Sequence, residues 1–559
     1  MSEFFAFKES NCKNCYKCIR HCPVKAIGFS KNQAHVMEDA CILCGACFVI
    51  CPQNAKVLRG DLTAVQQALS SGAELYVSVA PSFAAAFPDV PFSALREALL
   101  SFGFRDAEET AVGATMVKQA YEQLIVAKTQ PVIISSCCHS INLLVQKYFP
   151  DLVGTLARVA SPMMAHGMSL RQRHPNGKVV FIGPCISKKA EAREYGGVID
   201  HVLTFEELAD WLAQREIALP QQSEAESGGK ARLFPTTGGV LATLALPANS
   251  GYTTMAIDGV ENCMAALRDI AEGGRLSNCF IEMSACAGSC ISGPVINRTN
   301  SGLVRNRQRI EAISGDEDFD LTTLSLPDLA RRHALTPLRH TKFGGKAVEE
   351  TLRKMGKTLP EHELNCGSCG YDTCREKAEA ILAGKAEVSM CLPFLMARSE
   401  SFSDNIINNT PNAILVLNRD FEVQRINAAA CQLMNIRDEQ TVRGRHVVCI
   451  MDPTLFEQVI HTTQNSAEQR VYLAEYKKHV MMTVLYDAGN DIVIAIMRDV
   501  TTEQLELAGK NERSSRRIEL ADKIIEKQMR TVQEIASLLG ETTAETKVAL
   551  EKLKETIRE

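Results

Sequence analysis

The sequence has no surplus of basic residues. Its 61 Lys and Arg face 66 Asp and Glu, a net charge of −5 over 559 residues, so the electrostatic footprint of a nucleic-acid binder is missing. Nor is there a stretch of about 18 uninterrupted apolar residues of the kind that crosses a membrane. A protein with neither membrane nor nucleic-acid partners is expected. The N-terminal MSEFFAFKESNC has neither the basic start nor the apolar run of a secretory signal, which points to the cytoplasm. What the chain has in quantity is cysteine, 21 residues. In a reducing compartment these are expected as metal ligands or catalytic groups rather than disulfides. The length exceeds what one hydrophobic core sustains, so about three to five domains are expected.

Cys12, Cys15, Cys18 and Cys22, followed by Pro23, form C-x2-C-x2-C-x3-C-P, and Cys41, Cys44, Cys47 and Cys51, followed by Pro52, repeat it. This is the spacing of bacterial two-cluster ferredoxins, in which the fourth cysteine of each run ligates the other cluster. One 4Fe–4S cubane is therefore assigned to Cys12, Cys15, Cys18 and Cys51, the second to Cys22, Cys41, Cys44 and Cys47. Thiolate is the soft ligand that iron–sulfur clusters need; a pair of structural zinc sites is the alternative. Residues 1–62 are read as this ferredoxin-like α+β domain.

From about residue 63 to 300, β-like runs (Tyr76–Val79, Val132–Ser135, Val179–Ile182) alternate with amphipathic helical stretches, predicting an α/β body. Cys137 and Cys138 follow PVIIS and Cys185 follows VVFIG, placing the sulfurs at strand ends, where α/β folds build sites. Cys138 in SSCCHS, Cys185 in GPCISKKAE, and Cys286 and Cys290 in EMSACAGSC resemble, in order and surroundings, the three cluster-binding motifs of the iron-only (FeFe) hydrogenases. The resemblance implies that these four cysteines bind a 4Fe–4S cubane, with Cys290 bridging to a two-iron subsite that carries CO, cyanide and a dithiolate amine. It further implies that Cys137 exchanges protons with the bridgehead amine, a thiol near its pKa being a reasonable relay. Lys188 then hydrogen-bonds a cyanide. Ala80-Pro81-Ser82 resembles the loop packed against the dithiolate, and Ser161-Pro162 the segment whose serine continues the proton chain. Thr237-Gly238-Gly239-Val240 is read as a turn with a structural role.

Several positions depart from that family's pattern. Gly183 and Ser284 stand where methionine is usual, His139 where proline is usual, and the third motif ends in ISGP. The pocket around the two-iron unit is thus rebuilt. In the helix before the first motif the family's proton path uses two glutamates; here Lys118 takes the inner position and Glu122 the outer. The carboxylate relay is broken beyond Cys137, and the slow turnover this implies suits a sensor. Relatives in cluster assembly keep the cysteines without a two-iron unit, but retention of Cys137 and Lys188 favours one. Cys263 and Cys279 fit no cluster spacing and read as buried apolar thiols.

The polar stretch 301–345, with Arg331-Arg332 and Arg339-His340, reads as a linker. Residues 346–398 hold Cys366, Cys369, Cys374 and Cys391, whose spacing resembles a small 4Fe–4S domain found beside redox proteins, zinc being the alternative. Gly367 and Gly370 would let backbone N–H groups approach that cluster, and its position gives electrons a way from the body toward the C-terminus. Residues 399–505 run strand, turn, strand, helix and close with two strands around Gly489-Asn490. With NAA after the second strand and RDVT at the end, they resemble a PAS domain, a module that binds small ligands or transmits signals. Cys431 and Cys449 read as core thiols. In 506–559, Ile518, Ile525, Val532 and Leu539 recur every seven residues, with Ala521, Gln528 and Ile535 at the companion position. Gly540 and Thr542-Thr543 offer caps before a second helix through Val548, Leu553 and Ile557. A helical hairpin used for dimerisation is expected, a surface-packed helix pair being the alternative. No kinase or phosphatase segment follows, so output is expected to pass to a separate signalling protein.

The combined expectation is an α/β multidomain, homodimeric, hydrogen-sensing FeFe hydrogenase of the ferredoxin-hydrogenase type, made active by hydrogenase maturation enzymes. It would carry three 4Fe–4S clusters beside the cubane of the hydrogen site, exchange electrons with a partner such as ferredoxin, and turn over slowly. Two other classes stay open: a metabolic ferredoxin-linked hydrogenase, and a non-catalytic Fe–S electron-transfer or scaffold protein without the diiron site.

Overall fold

The apolar runs pair in parallel, as strands buried on both faces do. Leu75–Val79 and Lys178–Gly183 form the centre of a four-stranded sheet flanked by Asp106–Glu109 and His201–Thr204. Val77, Val79, Val180 and Ile182 are fully buried there. Cys279–Ser284 is the centre of a three-stranded parallel sheet between Thr253–Asp258 and Val132–Ile134. Helices Ala111–Ala127, His139–Tyr148, Pro162–Arg173 and Ser187–Glu194 connect these strands. The loops that leave the strands at Val79, Glu109, Ile134 and Gly183 gather around one cavity, the place where open α/β sheets take ligands. The computed structural model describes residues 4–7, 11–31, 33–221, 228–246, 250–273, 276–296, 302–324, 326–338, 341, 343–462, 464–539 and 543–558. Two compact units divide the chain, Met1–Phe394 and Leu395–Glu559.

At the N-terminus, Ile27–Ser30 and Gln33–Val36 form a hairpin, and Phe5–Phe7 pairs antiparallel with Lys56–Leu58. The short helices Lys17–Arg20 and Ala46–Val49 lie inside the two cysteine runs. The body helix His139–Tyr148 grips this module: Lys147 Nζ donates to Cys41 O and Tyr148 Oη to Ala40 O, both at 2.7 Å. The 366–391 segment docks onto the same ferredoxin-like module. Arg20 donates to Cys15 O at 3.1 Å and to Ser368 O at 3.0 Å, and Lys25 Nζ donates to Gly370 O at 2.8 Å. The N-terminal module is thus its neighbour within the first unit, which the sequence does not reveal.

The expected linker 301–345 is instead part of the body. Leu303–Ile313 is a helix whose Asn306 and Ile310 are fully buried, and Arg331 is 4% exposed where it meets Glu191. Its polar composition misleads because the few residues that anchor it, Asn306, Ile310 and Arg331, are buried while most of its charges stay solvated. Arg339 and His340 lie outside the described residues.

The second unit is a five-stranded antiparallel sheet in the spatial order Val423–Ile426, Ala413–Asn418, Ile492–Asp499, Lys478–Asp487, Gln469–Leu473. Alternate residues Leu415, Leu417, Val493, Ala495 and Met497 are buried, the period of a strand. Asn427 gives the NAA sequence its physical role. Its Oδ1 accepts from Ala430 N and Ile414 N, both at 2.9 Å, while Nδ2 donates to Ile407 O and Asn412 O. Asp499 of RDVT accepts from Thr501 N at 2.9 Å and Lys478 Nζ at 2.8 Å, fixing the start of the helix Thr501–Leu539.

Cys431 is half-buried against this core, but Cys449 is exposed. That corrects its reading as a core thiol: in the turn Val447–Cys449 it is Val447 that is buried. The long helix pairs with Thr543–Arg558 through Lys554 Nζ and Asp522 Oδ1 at 3.3 Å, so a hairpin forms. Ile518, Ile525 and Val532 are half-buried, yet Gln528 is exposed and Met529 takes the companion place. Gly540 to Thr542, and the side chains of Ile535, Leu539 and Val548, lie outside the described residues.

Candidate active site

The strand ends enclose a cavity of about 100 Å³ lined by Ala80, Pro81, Cys137, Cys138, Cys185, Lys188 and Cys290, among others. Cys138 precedes the helix His139–Tyr148, Cys185 stands just before Ser187–Glu194, and Cys290 lies in the turn Ser289–Ser292. Cys286 belongs to the same group: burial pushes its thiol far up, and the fields of Cys185, Cys290 and Cys138 push it further. All four thiols are free. Burial pushes the thiols of Cys138 and Cys290 up as well, and thiols placed in this way keep their protons unless a cation arrives with them, the chemistry of a metal-cluster ligand set.

Lys188 brings an ammonium to this cavity, donating to Cys137 O at 3.0 Å and to Glu191. Burial opposes its charge, but Glu191 outweighs burial and holds the lysine above its ordinary pKa. Glu191 is itself fully buried. Burial works to raise it, yet Lys188 and Arg331 hold it down to about 2. Ser82, also at the cavity, has a buried Oγ with no hydrogen-bond partner among the described residues. A lysine and an unpartnered hydroxyl beside the thiols fit an anionic group next to a cubane.

Cys137 Sγ meets Tyr121 Oη at 3.2 Å, and that hydroxyl accepts from Ser136 N at 2.9 Å. Burial pushes the Cys137 thiol up to about 12, against the pull of Tyr121 and Lys188. Burial thus favours its neutral thiol form. Tyr121 is a residue that sequence reasoning missed. Its one signal is a hydroxyl on a buried helix face.

Glu122 and Ser161 do not line the cavity. Glu122 Oε1 accepts from Ala245 N at 2.6 Å and pairs with Lys118 Nζ at 3.5 Å; Lys118 also pairs with Asp318. Burial opposes the Lys118 charge, but Asp318 and Glu122 hold its pKa up. Ser161 Oγ caps Pro162–Arg173 by accepting from Met164 N at 3.5 Å. A second missed residue is Glu282, 4% exposed, which accepts from Gly238 N at 3.0 Å and Leu241 N at 3.1 Å. Burial pushes it up to about 7 despite those bonds, and its field reaches Cys137. The Gly238-Gly239 turn is thus an N–H cradle for a carboxyl group.

The departures have a structural account. A Cβ on Gly183 would lie 2.6 Å from the Phe181 ring, so the missing side chain is what lets Phe181 line the cavity. His139 is almost fully buried, and burial holds its pKa down to about 3. Cys263 and Cys279 are buried.

Cysteines outside this cavity also stand near one another. Cys41 feels Cys47 and Cys22, and Cys44 feels Cys22, Cys47 and Cys41, so Cys22 stands near the second run. Ala26 N donates to Cys22 Sγ at 3.1 Å, Leu43 N to Cys41 Sγ at 3.3 Å and Ala55 N to Cys51 Sγ at 3.4 Å, the kind of bond that tunes a ligating thiolate. Cys366, Cys369, Cys374 and Cys391 line one small cavity with Lys377. Cys286 lies in the field of Cys44, and Tyr371 in the fields of Cys369 and Cys22. The ferredoxin-like module thus neighbours both the Cys286 segment and the Cys369 segment. The second unit has its own cavity of about 490 Å³, lined in part by Met451, Leu455, Tyr472, Tyr476 and Met482.

Residues 73–294 match the family model for the iron only hydrogenase large subunit, C-terminal domain; residues 6–52 match a 4Fe–4S dicluster domain and residues 360–393 an Fe–S cluster family. Iron hydrogenase 1 of Clostridium pasteurianum is 25% identical over 252 residues, 35% of this chain and 44% of that protein. A component of the ion-translocating oxidoreductase complex of Methanosarcina acetivorans is 43% identical over 51 residues, 9% of this chain and 19% of that one. The chain thus spans less than half the length of these curated relatives. A solved FeFe hydrogenase from Chlamydomonas reinhardtii matches at 19% identity and a TM-score of 0.39, covering 49% of this chain and 99% of its own. The PAS domain of nitrogen regulation protein NR(II) from Vibrio parahaemolyticus matches at 17% identity and a TM-score of 0.15, covering 17% of this chain and 96% of its own. The chain carries an iron-only hydrogenase large-subunit domain together with iron–sulfur modules. Among the described residues no helix is long and apolar enough to cross a membrane.

Proposed function

We propose that this chain is a hydrogen-sensing FeFe hydrogenase of the ferredoxin-hydrogenase type, converting H2 reversibly to protons and electrons at a low rate. One observation carries the reading. Lys188 and the unpartnered Ser82 hydroxyl open onto the same cavity as Cys138, Cys185 and Cys290, and a plain cubane needs neither. When bound there, a diiron unit with CO, cyanide and an azadithiolate supplies the hydrogen-splitting metal chemistry. Cys138, Cys185, Cys286 and Cys290 would hold the adjoining cubane, with Cys290 as the bridge.

The protein's own groups then do the rest. Lys188, fixed by Glu191, presents its ammonium to an anionic ligand. Ala80 and Pro81 wall the cavity. Cys137 passes a proton as a thiol positioned by Tyr121. The Lys118–Glu122 ion pair takes Glu122 out of a proton path, which supports slow turnover.

Three further 4Fe–4S clusters would be held by Cys12, Cys15, Cys18 and Cys51, by Cys22, Cys41, Cys44 and Cys47, and by Cys366, Cys369, Cys374 and Cys391. They serve electron exchange with a partner such as ferredoxin and toward the PAS-like unit, and the signal passes on to a separate kinase or phosphatase. Leu520, Ile524 and Leu553, exposed on the helix pair, support a homodimer. Maturation enzymes load the diiron unit, in a cytoplasm that keeps the thiols reduced.

Infrared spectroscopy of anaerobically matured protein, under argon and then under hydrogen, tests this. Bands of metal-bound CO and cyanide that shift with hydrogen are expected. Cubane signals without such bands, maturation controls being intact, would leave an Fe–S electron-transfer protein. A high turnover rate would point to a metabolic hydrogenase.

A further inference from the structure

A fully buried serine interrupts the apolar run of a central strand: Ser78 stands between Val77 and Val79 with no exposure. The strand beside it, Asp106–Glu109, is built largely of acidic residues, which are poor strand formers. Polar groups inside a sheet are costly unless bonded, and here the bonding is continuous. Thr110, at the end of the acidic strand, lines the cavity. Its Oγ1 meets Ser78 Oγ at 2.6 Å, Ser78 Oγ meets His166 Nδ1 at 2.8 Å, and His166 Nε2 meets Glu108 Oε2 at 3.1 Å. The Glu108 carboxylate is 25% exposed and is held by two bonds from Arg173, each 2.7 Å. His166, on Pro162–Arg173, reaches this place because the facing helix has no side chain at Gly113. A Cβ there would lie 2.4 Å from Pro162 O and 2.7 Å from His166 Cβ.

We propose that Thr110, Ser78, His166 and Glu108 form the route by which protons pass between the cavity and solvent, an inference that rests on the hydrogenase reading. A carboxylate only accepts, so in the neutral ring Nε2 carries the hydrogen and Nδ1 accepts from Ser78 O–H; Ser78 in turn accepts from Thr110 O–H. A proton arriving on Thr110 Oγ1 sends the threonine hydrogen to Ser78, the serine hydrogen to Nδ1 and the Nε2 hydrogen to Glu108, which releases it to water. One proton enters and one leaves. Thr110 and Ser78, the inner members, carry no charge, and the Glu108 carboxylate with Arg173 sits at the solvent end. Along the helix Ala111–Ala127, by contrast, Lys118 and Glu122 are locked in an ion pair.

Thr110→Val removes one hydroxyl at constant shape, Thr110→Ser keeps it, and Ser78→Ala breaks the next link. In matured protein, relaxation of the CO and cyanide bands after a pH jump reads proton delivery without turnover. Thr110→Val and Ser78→Ala should slow that relaxation and the turnover by about 10²-fold at unchanged band intensity, with a larger solvent isotope effect. Thr110→Ser should stay within about threefold of the parent on the same reasoning. Nitrogen NMR of histidine-labelled protein lacking the diiron unit should show His166 as the Nε2–H tautomer, with an Nδ1 resonance that moves in Ser78→Ala. Unchanged relaxation in both hydroxyl-deleting variants, or slowing in Glu282→Gln alone, overturns the route. Absence of CO and cyanide bands in the parent overturns the hydrogenase reading itself.

Discussion

Arg331 donates to Glu191 at 2.9 Å across 140 residues of chain, and Glu191 in turn holds Lys188 at the cavity. A fully buried carboxylate between two cations is tolerable only while its partners remain. Arg331→Leu should therefore destabilise the protein by about 3–5 kcal/mol, read as a lower urea midpoint. On the proposed hydrogenase reading the same variant should also shift the cyanide bands of matured protein, because Lys188 then shares Glu191 with no second cation. An unaltered midpoint would mean that the buried pair contributes nothing.

Two groups of carboxyls act in opposite senses as pH changes. Burial works to raise Glu191 and Glu108. Lys188 and Arg331 for the first, and His166 and Arg173 for the second, outweigh it and hold both down to about 2. Their contribution is present above the ordinary carboxyl value and is lost as pH falls from there through about 2. Glu282 is raised to about 7. It holds its proton more tightly folded than unfolded, so its penalty grows as pH rises from the ordinary carboxyl value to about 7 and is complete above that. Glu282→Gln should raise the urea midpoint over that of the parent at pH values above 7 and leave it unchanged below the ordinary carboxyl value. A protonated-carboxyl infrared band titrating near 7 should vanish in the same variant. A midpoint shift of equal size at both pH values would show that Glu282 does not titrate there.

Much of this was legible in the chain because cluster ligands are local. A cubane takes most of its thiolates from one short turn, so the runs from Cys12 and Cys41 and the spacing from Cys366 declare themselves, and strands buried on both faces declare themselves by apolar runs such as VVFIG. The strand Asp106–Glu109 could not be read this way. Glu108 is satisfied by Arg173 and His166, Asp106 by Arg96, and Glu109 by Arg232, which donates to its Oε2 at 2.8 Å from 123 residues away. The stretch 301–345 looked like a linker for the same reason, since the partner of Arg331 lies on a distant helix. Tyr121 and Glu282 were silent because a single polar residue in a buried element is informative only once its neighbours are known.

The 366–391 module meets Arg20 and Lys25 through the backbone carbonyls of Ser368 and Gly370, which flank Cys369, and through Asp372, 3.7 Å from Lys25 Nζ; Cys391 takes no part in these contacts. Cys391→Ala should then remove one cubane signal from the electron paramagnetic resonance spectrum of reduced protein and leave the ferredoxin-like signals in place. Metal analysis checks the chemistry of the site: iron lost with the variant supports a cluster, and zinc in its place removes the assignment.

The wall of the cavity beside Ala80 offers the sharpest test of how the site has been rebuilt. A side chain on Gly183 would meet the Phe181 ring at 2.6 Å and Ala80 Cβ at 3.2 Å, so the space is filled from residue 181 and cannot also be filled from residue 183. Gly183→Met alone should overpack this wall and destabilise the protein by about 1–3 kcal/mol. Adding Phe181→Leu removes the ring that obstructs it and should recover most of that loss, so the two substitutions will not be additive. Thermal unfolding of the two single variants and the double variant measures the coupling. If Gly183→Met is as stable as the parent, Phe181 yields freely and does not hold the wall. If the double variant recovers stability while the CO and cyanide bands move, the thioether has been traded for the ring at constant volume, and residue 181 sets the surroundings of the bound group.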